Sequence, residues 1–131
     1  MNPRRGHIHR LGSLLLVSCL WLSACDNFER DAYRTLKVLK VEYELLQAHA
    51  AHAFLAGRLS EAQWEAFVVA GHRFIAAHTL AADLMQTYRE VKRIKDPNRR
   101  NEIARQAAAA LAELPTLLDD LRRLLESFET H

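Results

Sequence analysis

Three long apolar series, each stepping alternately by three and four residues, confine this chain to packed helices. The first is Ala32, Leu36, Leu39, Tyr43, Leu46, Ala50 and Ala53. The second is Trp64, Phe67, Gly71, Phe74, His78, Ala81, Met85 and Tyr88, and the third is Ile103, Ala107, Ala110, Leu114, Leu117, Leu121, Leu124 and Phe128. That spacing places each series on one stripe of a helix, as in coiled-coil seams. From residue 25 onward the only glycines are Gly57 and Gly71, and the only prolines are Pro97 and Pro115. A strand-rich domain needs more turn residues than that.

The helix boundaries carry their own chemistry. Gly57 supplies the left-handed residue that ends the first helix. Ser60 and Gln63 form a capping box for the second, with Leu59 and Trp64 at the two positions of a hydrophobic staple. Asp96 and Pro97 are an N-cap and a preorganised first residue for the third. Asp26 and Glu29 read as an acidic capping pair for the first helix. Pro115 removes one backbone donor from the third, which predicts a kink there, with two shorter helices as the alternative.

Folding the first two helices back on each other around Gly57–Ser60 opposes residues whose numbers sum to 117. Tyr43 then meets Phe74, Leu46 meets Gly71, Ala50 meets Phe67 and Ala53 meets Trp64, small against large at most layers. The expected fold is all-α, an antiparallel three-helix up-down-up bundle with the third helix in the groove of the hairpin.

The segment before these helices has a different character. Arg4, Arg5 and Arg10 precede an apolar run from Leu11 to Leu22, and small residues follow. Charged start, short apolar middle and small-residue cleavage site describe a secretory signal over residues 1–24. Its end, Leu22-Ser23-Ala24-Cys25, resembles the lipobox of bacterial lipoproteins, a resemblance covering residues 1–26. It implies cleavage before Cys25, acylation of that cysteine, and a lipid-anchored domain of residues 25–131 on the periplasmic face of the cell membrane. Asp26 resembles the residue that retains enterobacterial lipoproteins in the inner membrane, which slightly favours that membrane over the outer. The helical body is similar in size and architecture to small helical lipoproteins such as secretion pilotins and exclusion or lysis lipoproteins of mobile elements.

Removing residues 1–24 takes away three arginines, so 18 basic residues become 15 against 16 acidic ones, a formal charge of −1. The basic balance of the whole chain belongs to the signal, and with it goes the main argument for a nucleic-acid partner. Cys19 leaves with the signal and Cys25 is spoken for, so no internal disulfide is expected.

Chemistry is sparse beyond that. Ser60 and Ser127 are the serines left after residue 24, Ser60 is needed as a cap, and no glycine-rich phosphate loop or HExxH pattern occurs. The expectation is a protein without catalytic activity and without a cofactor. His49 and His52 share a helix face at a metal-compatible spacing but lack a third ligand. His78 and Met85 invite a haem, metal or small-ligand carrier reading in the bundle core, against the simpler one of a histidine bonded to a neighbour. Lys92, Arg93, Lys95, Arg99 and Arg100 gather at the turn between the second and third helices, which an antiparallel hairpin returns to the lipidated end. Arg99 and Arg100 sit where the helix dipole disfavours cations, which leaves two readings, a contact with anionic headgroups or simply a solvated turn.

The first helix also carries a second apolar series, Val38, Val41, Leu45, Ala48, His52 and Leu55, roughly 160° around from the first. Either the third helix packs there, or the stripe faces outward and binds a homo-oligomer or an envelope partner. The leading expectation is therefore a membrane-anchored protein-interaction module. The carrier and a structural or oligomeric envelope component are the alternatives.

Acylation of Cys25 is directly measurable. Mass spectrometry of the membrane-derived protein should show an acylated N-terminal cysteine, and Cys25→Ser should yield an unlipidated precursor or a soluble protein. A free Cys25 thiol in membrane-derived protein would contradict the resemblance.

Overall fold

The computed structural model describes residues 27–130, so the signal segment, Cys25 and Asp26 lie outside the described residues. Three helices follow in order: α1, Phe28–Leu55; α2, Glu61–Arg93; and α3, Pro97–Glu129. They hold 28, 33 and 33 residues, or about 42 to 50 Å at 1.5 Å per residue. No strand occurs among the described residues. The residues from Ala32 onward form one compact unit.

Each boundary is made as its sequence dictates. Gly57 has φ of +71°, the Arg58 N–H donates to the Ala53 carbonyl, and the Gly57 N–H donates to the Phe54 carbonyl, both at 2.9 Å. These two bonds are the Schellman closure of a helix. Ser60 then opens α2: its hydroxyl accepts from the Gln63 N–H at 3.1 Å, and its own N–H donates to Gln63 Oε1 at 2.8 Å. Leu59 is buried beside this turn. Asp96 Oδ1 accepts from the Arg99 N–H at 3.1 Å, with Pro97 at the first helical position. At the other end α1 begins at Phe28, where the Asp31 N–H donates to the Asn27 carbonyl. The capping pair expected of Asp26 and Glu29 lies partly outside the described residues.

The first two seams pack together. Tyr43 stacks on Phe74 with ring centroids 5.0 Å apart, the expected register. Ala50, Ala53, Phe67, Phe74, Ala81 and Met85 are essentially sealed from solvent. The layer nearest the turn departs from expectation. Trp64 is half-buried, and its ring stacks on Phe54 at 5.3 Å and on Phe67 at 6.2 Å, while the small Ala53 is wholly enclosed. An indole is too wide to sit on the bundle axis there, so it lies along the rim and roofs the layer instead.

α3 runs parallel to α1 and antiparallel to α2. Arg122 lies 3.7 Å from Glu42, and His49 Nε2 lies 2.7 Å from Glu129 Oε1. Both pairs share one offset of 80 residues, the register of parallel neighbours. The helix is continuous through Pro115, whose side chain is exposed, so two shorter helices do not form. Exposure lets water take the hydrogen bond that proline cannot make. The buried face beyond Pro115 also differs from expectation. Leu118 and Leu125 are buried, while Leu117 and Leu124 are half-buried. Ala107, Ala110 and Leu114 are each followed eleven residues later by Leu118, Leu121 and Leu125. Eleven residues overshoot three turns by about 20°, where seven fall about 20° short of two, so the buried stripe moves over by one residue past Pro115.

At Gly71 the Tyr43 side chain of α1 lies against the bare backbone of α2. A Cβ there would sit 2.9 Å from the Tyr43 hydroxyl and 3.4 Å from a ring carbon. The Tyr43 ring, stacked on Phe74, has little freedom to retreat. Burial also pushes the Tyr43 phenol above its ordinary pKa of 10.0, because phenolate loses hydration there. The folded chain holds that proton more tightly than the unfolded one. Its contribution is fully present below pH 10 and is lost as the pH rises through the native value.

Gly71→Ala should lower stability by about 1 kcal/mol, since overpacking exceeds the helix-propensity gain. In a Tyr43→Phe background the hydroxyl is gone, and the same substitution should be neutral or stabilising. Tyr43→Phe should also remove one component of alkaline unfolding. Denaturant melts of the four variants, at neutral and at alkaline pH, read both effects.

Candidate functional site

α1 is a two-faced helix. Leu36, Leu39, Tyr43, Ala50 and Ala53 fill its inner side, and the second series lies opposite. Val38 and Val41 are about half exposed, Leu45 is 66% exposed and Leu55 is 85% exposed. Ala48 and His52 are exposed between them. α3 does not cover the stripe, because its ion pairs with α1 run through Glu42 and His49 on one flank. The other flank belongs to α2, where the His78 ring reaches the α1 backbone. Two helices packed on the inner half of α1 leave its outer half as an apolar strip of six side chains from Val38 to Leu55.

The histidines weighed as metal or haem ligands are each bonded to a neighbour. His49 donates to Glu129, and Arg58 donates to His52 Nδ1 at 3.4 Å. The two rings thus turn to different residues. His78 Nε2 donates to the Leu36 carbonyl at 2.9 Å, and its ring leans on Phe74 at 6.0 Å. Met85 is sealed in the core. One heptad separates the two, so they occupy different layers and do not converge. Among the described residues no group of three or more His, Cys, Asp or Glu side chains is placed to hold a metal ion.

Lys92, Arg93, Lys95, Arg99 and Arg100 are all exposed around the α2–α3 turn. Lys92 and Arg93 lie in the last turn of α2, favourable for cations. The Arg89 guanidinium sits 5.8 Å over the Tyr33 ring, which sets this end of α2 beside the early part of α1. The basic turn therefore does gather at the bundle end to which the hairpin returns. Asp96 is occupied in capping α3.

One feature escaped sequence reasoning. An open groove of about 550 Å³ runs between α1 and α3, lined by Leu39, Glu42, Pro115, Leu118, Asp119 and Arg122 among others. Asp119 pairs with Arg122 at 3.5 Å and with Arg123 at 2.8 Å, while Glu42 and Asp120 complete a lining of three acids against two arginines. Pro115 was its one visible signal in the sequence, and which helix faces it depends on packing alone.

Compared with protein-family models, with curated proteins and with solved structures, the chain matches none. No helix among the described residues is long and apolar enough to cross a membrane.

His78 is a structural residue on this geometry. His78→Ala should cost about 1–2 kcal/mol, from a lost hydrogen bond and a partly emptied layer. His52→Ala, an exposed change, should stay within about 0.5 kcal/mol. Thermal melts of both variants compare the two.

Proposed function

We propose that this chain is a lipid-anchored, periplasm-facing protein-interaction module without catalytic activity, and that the outward stripe of α1 is its contact surface. The observation that carries the reading is the exposure of Val38, Val41, Leu45 and Leu55 in one line on a helix whose opposite face is already fully used. A contiguous apolar strip of a few hundred Å² is costly to leave in water and is typical of protein contact sites. The anchor rests on the lipobox resemblance of Cys25, with Asp26 as the sorting residue. The basic turn at Lys92–Arg100 supports the same orientation. At the bundle end nearer the anchor, each cation close to anionic headgroups contributes about 1 kcal/mol. A partner on this surface is an envelope protein or a second copy of the chain. Nothing in the charge balance of residues 25–131 favours nucleic acid.

Val41→Glu together with Leu45→Lys is the decisive change. It should abolish association, read by co-purification from membranes, while helicity and melting temperature stay as in the parent chain. Unfolding of the double variant would instead make the stripe part of the core and overturn the reading.

A further inference from the structure

The occupant of the α1 stripe can be named from the stripe's own pattern. Val38, Leu45 and His52 recur every seven residues, and so do Val41, Ala48 and Leu55. They are the a and d positions of a two-stranded seam. The rim positions carry charge in a defined order. Lys37 and Glu44 flank one side, and Glu42 and His49 flank the other. In a parallel pair, each residue of the first rim faces the residue five places later on the second copy. Lys37 then meets Glu42, and Glu44 meets His49. Both are pairings of acid with base, and twofold symmetry makes each twice. Glu42 and His49 are about half exposed while touching Arg122 and Glu129, so each retains a side open to a second partner.

We propose that this stripe binds a second copy of the same chain, side by side and parallel. The proposal rests on the tethered reading above: two chains anchored near Cys25 in one membrane present α1 in the same direction, as parallel pairing requires. The size of the stripe fits that setting. Two and a half heptads bury a few hundred Å² per copy, less than the roughly 800 Å² per partner of a stable soluble complex. Confinement to a membrane surface raises the effective concentration enough for such a weak seam to close. The pair is thus a membrane-dependent dimer that dilution in solution takes apart.

Cysteine cross-linking of the full chain in membranes tests both the partner and its direction. Val38→Cys, Leu55→Cys and the doubly substituted chain are oxidised mildly and resolved without reductant, with the parent chain, carrying Cys25, as the background. In a parallel pair residue 38 meets its own counterpart within disulfide reach. Each single variant should therefore give a band at twice the monomer mass that the parent lacks. Lys37→Glu, which sets an acid against Glu42 of the second copy, should reduce that band. No band in either single variant overturns the proposal. A band confined to the double variant also overturns it, because residue 38 then faces residue 55 in an antiparallel pair. Fractionation of the same samples separates this from the anchor. Membrane-bound protein that fails to cross-link overturns the pairing alone, and cross-linked protein recovered as soluble material upholds the pairing and overturns the tether.

Discussion

The stacking of Tyr43 on Phe74 across Gly71 is the contact on which the rest of the bundle depends. The absent side chain at Gly71 admits the Tyr43 hydroxyl, and no other residue would leave that space. Sliding α2 by one turn along α1 would set Tyr43 against a side chain instead of a gap and would unstack the rings. The register of the hairpin is therefore held by shape. Every other layer, from Ala53 near the turn to Met85 toward the opposite end, follows from this one.

α3 is held differently. Its buried face is alanine in the first half and leucine in the second, a surface that slides easily. Polar pairs at the rim supply the alignment, Arg122 with Glu42 and His49 with Glu129, both at the same offset. Such half-exposed pairs add little stability. Their value here is in choosing one register among several that the apolar surfaces would accept. The helix from Pro97 to Glu129 is uninterrupted at Pro115 because the proline lies on the solvent side.

The consequence for function is an asymmetry in α1. The hairpin and α3 together cover one half of it, and three helices are too few to cover the other. A fourth helix would turn the stripe into core; under the proposal a second copy would do the same from outside. The histidines fit this economy. His78 ties its ring to the α1 backbone, and His49 serves the α1–α3 rim. The basic turn lies at the end of the bundle away from Gly57, remote from the Trp64 roof, and leaves the outward stripe free along most of its length.

What was legible in the sequence is what local chemistry governs. Gly57, the Ser60–Gln63 box and the Asp96–Pro97 pair stop and start helices through atoms only a few residues apart, and all three act as read. The two apolar series of α1 were also visible, because helix periodicity alone places them on opposite sides. Tertiary packing decided the rest. Whether α3 would cover the second series could not follow from spacing, since either side of α1 offered an apolar face. The shift from Leu117 and Leu124 to Leu118 and Leu125 depends on which side of α3 its neighbours cover, a property of the assembled bundle. Trp64 moved to the rim because the width of an indole matters only once a facing helix exists. Residue identity set the helices and their ends; the finite number of helices set which apolar face was left exposed.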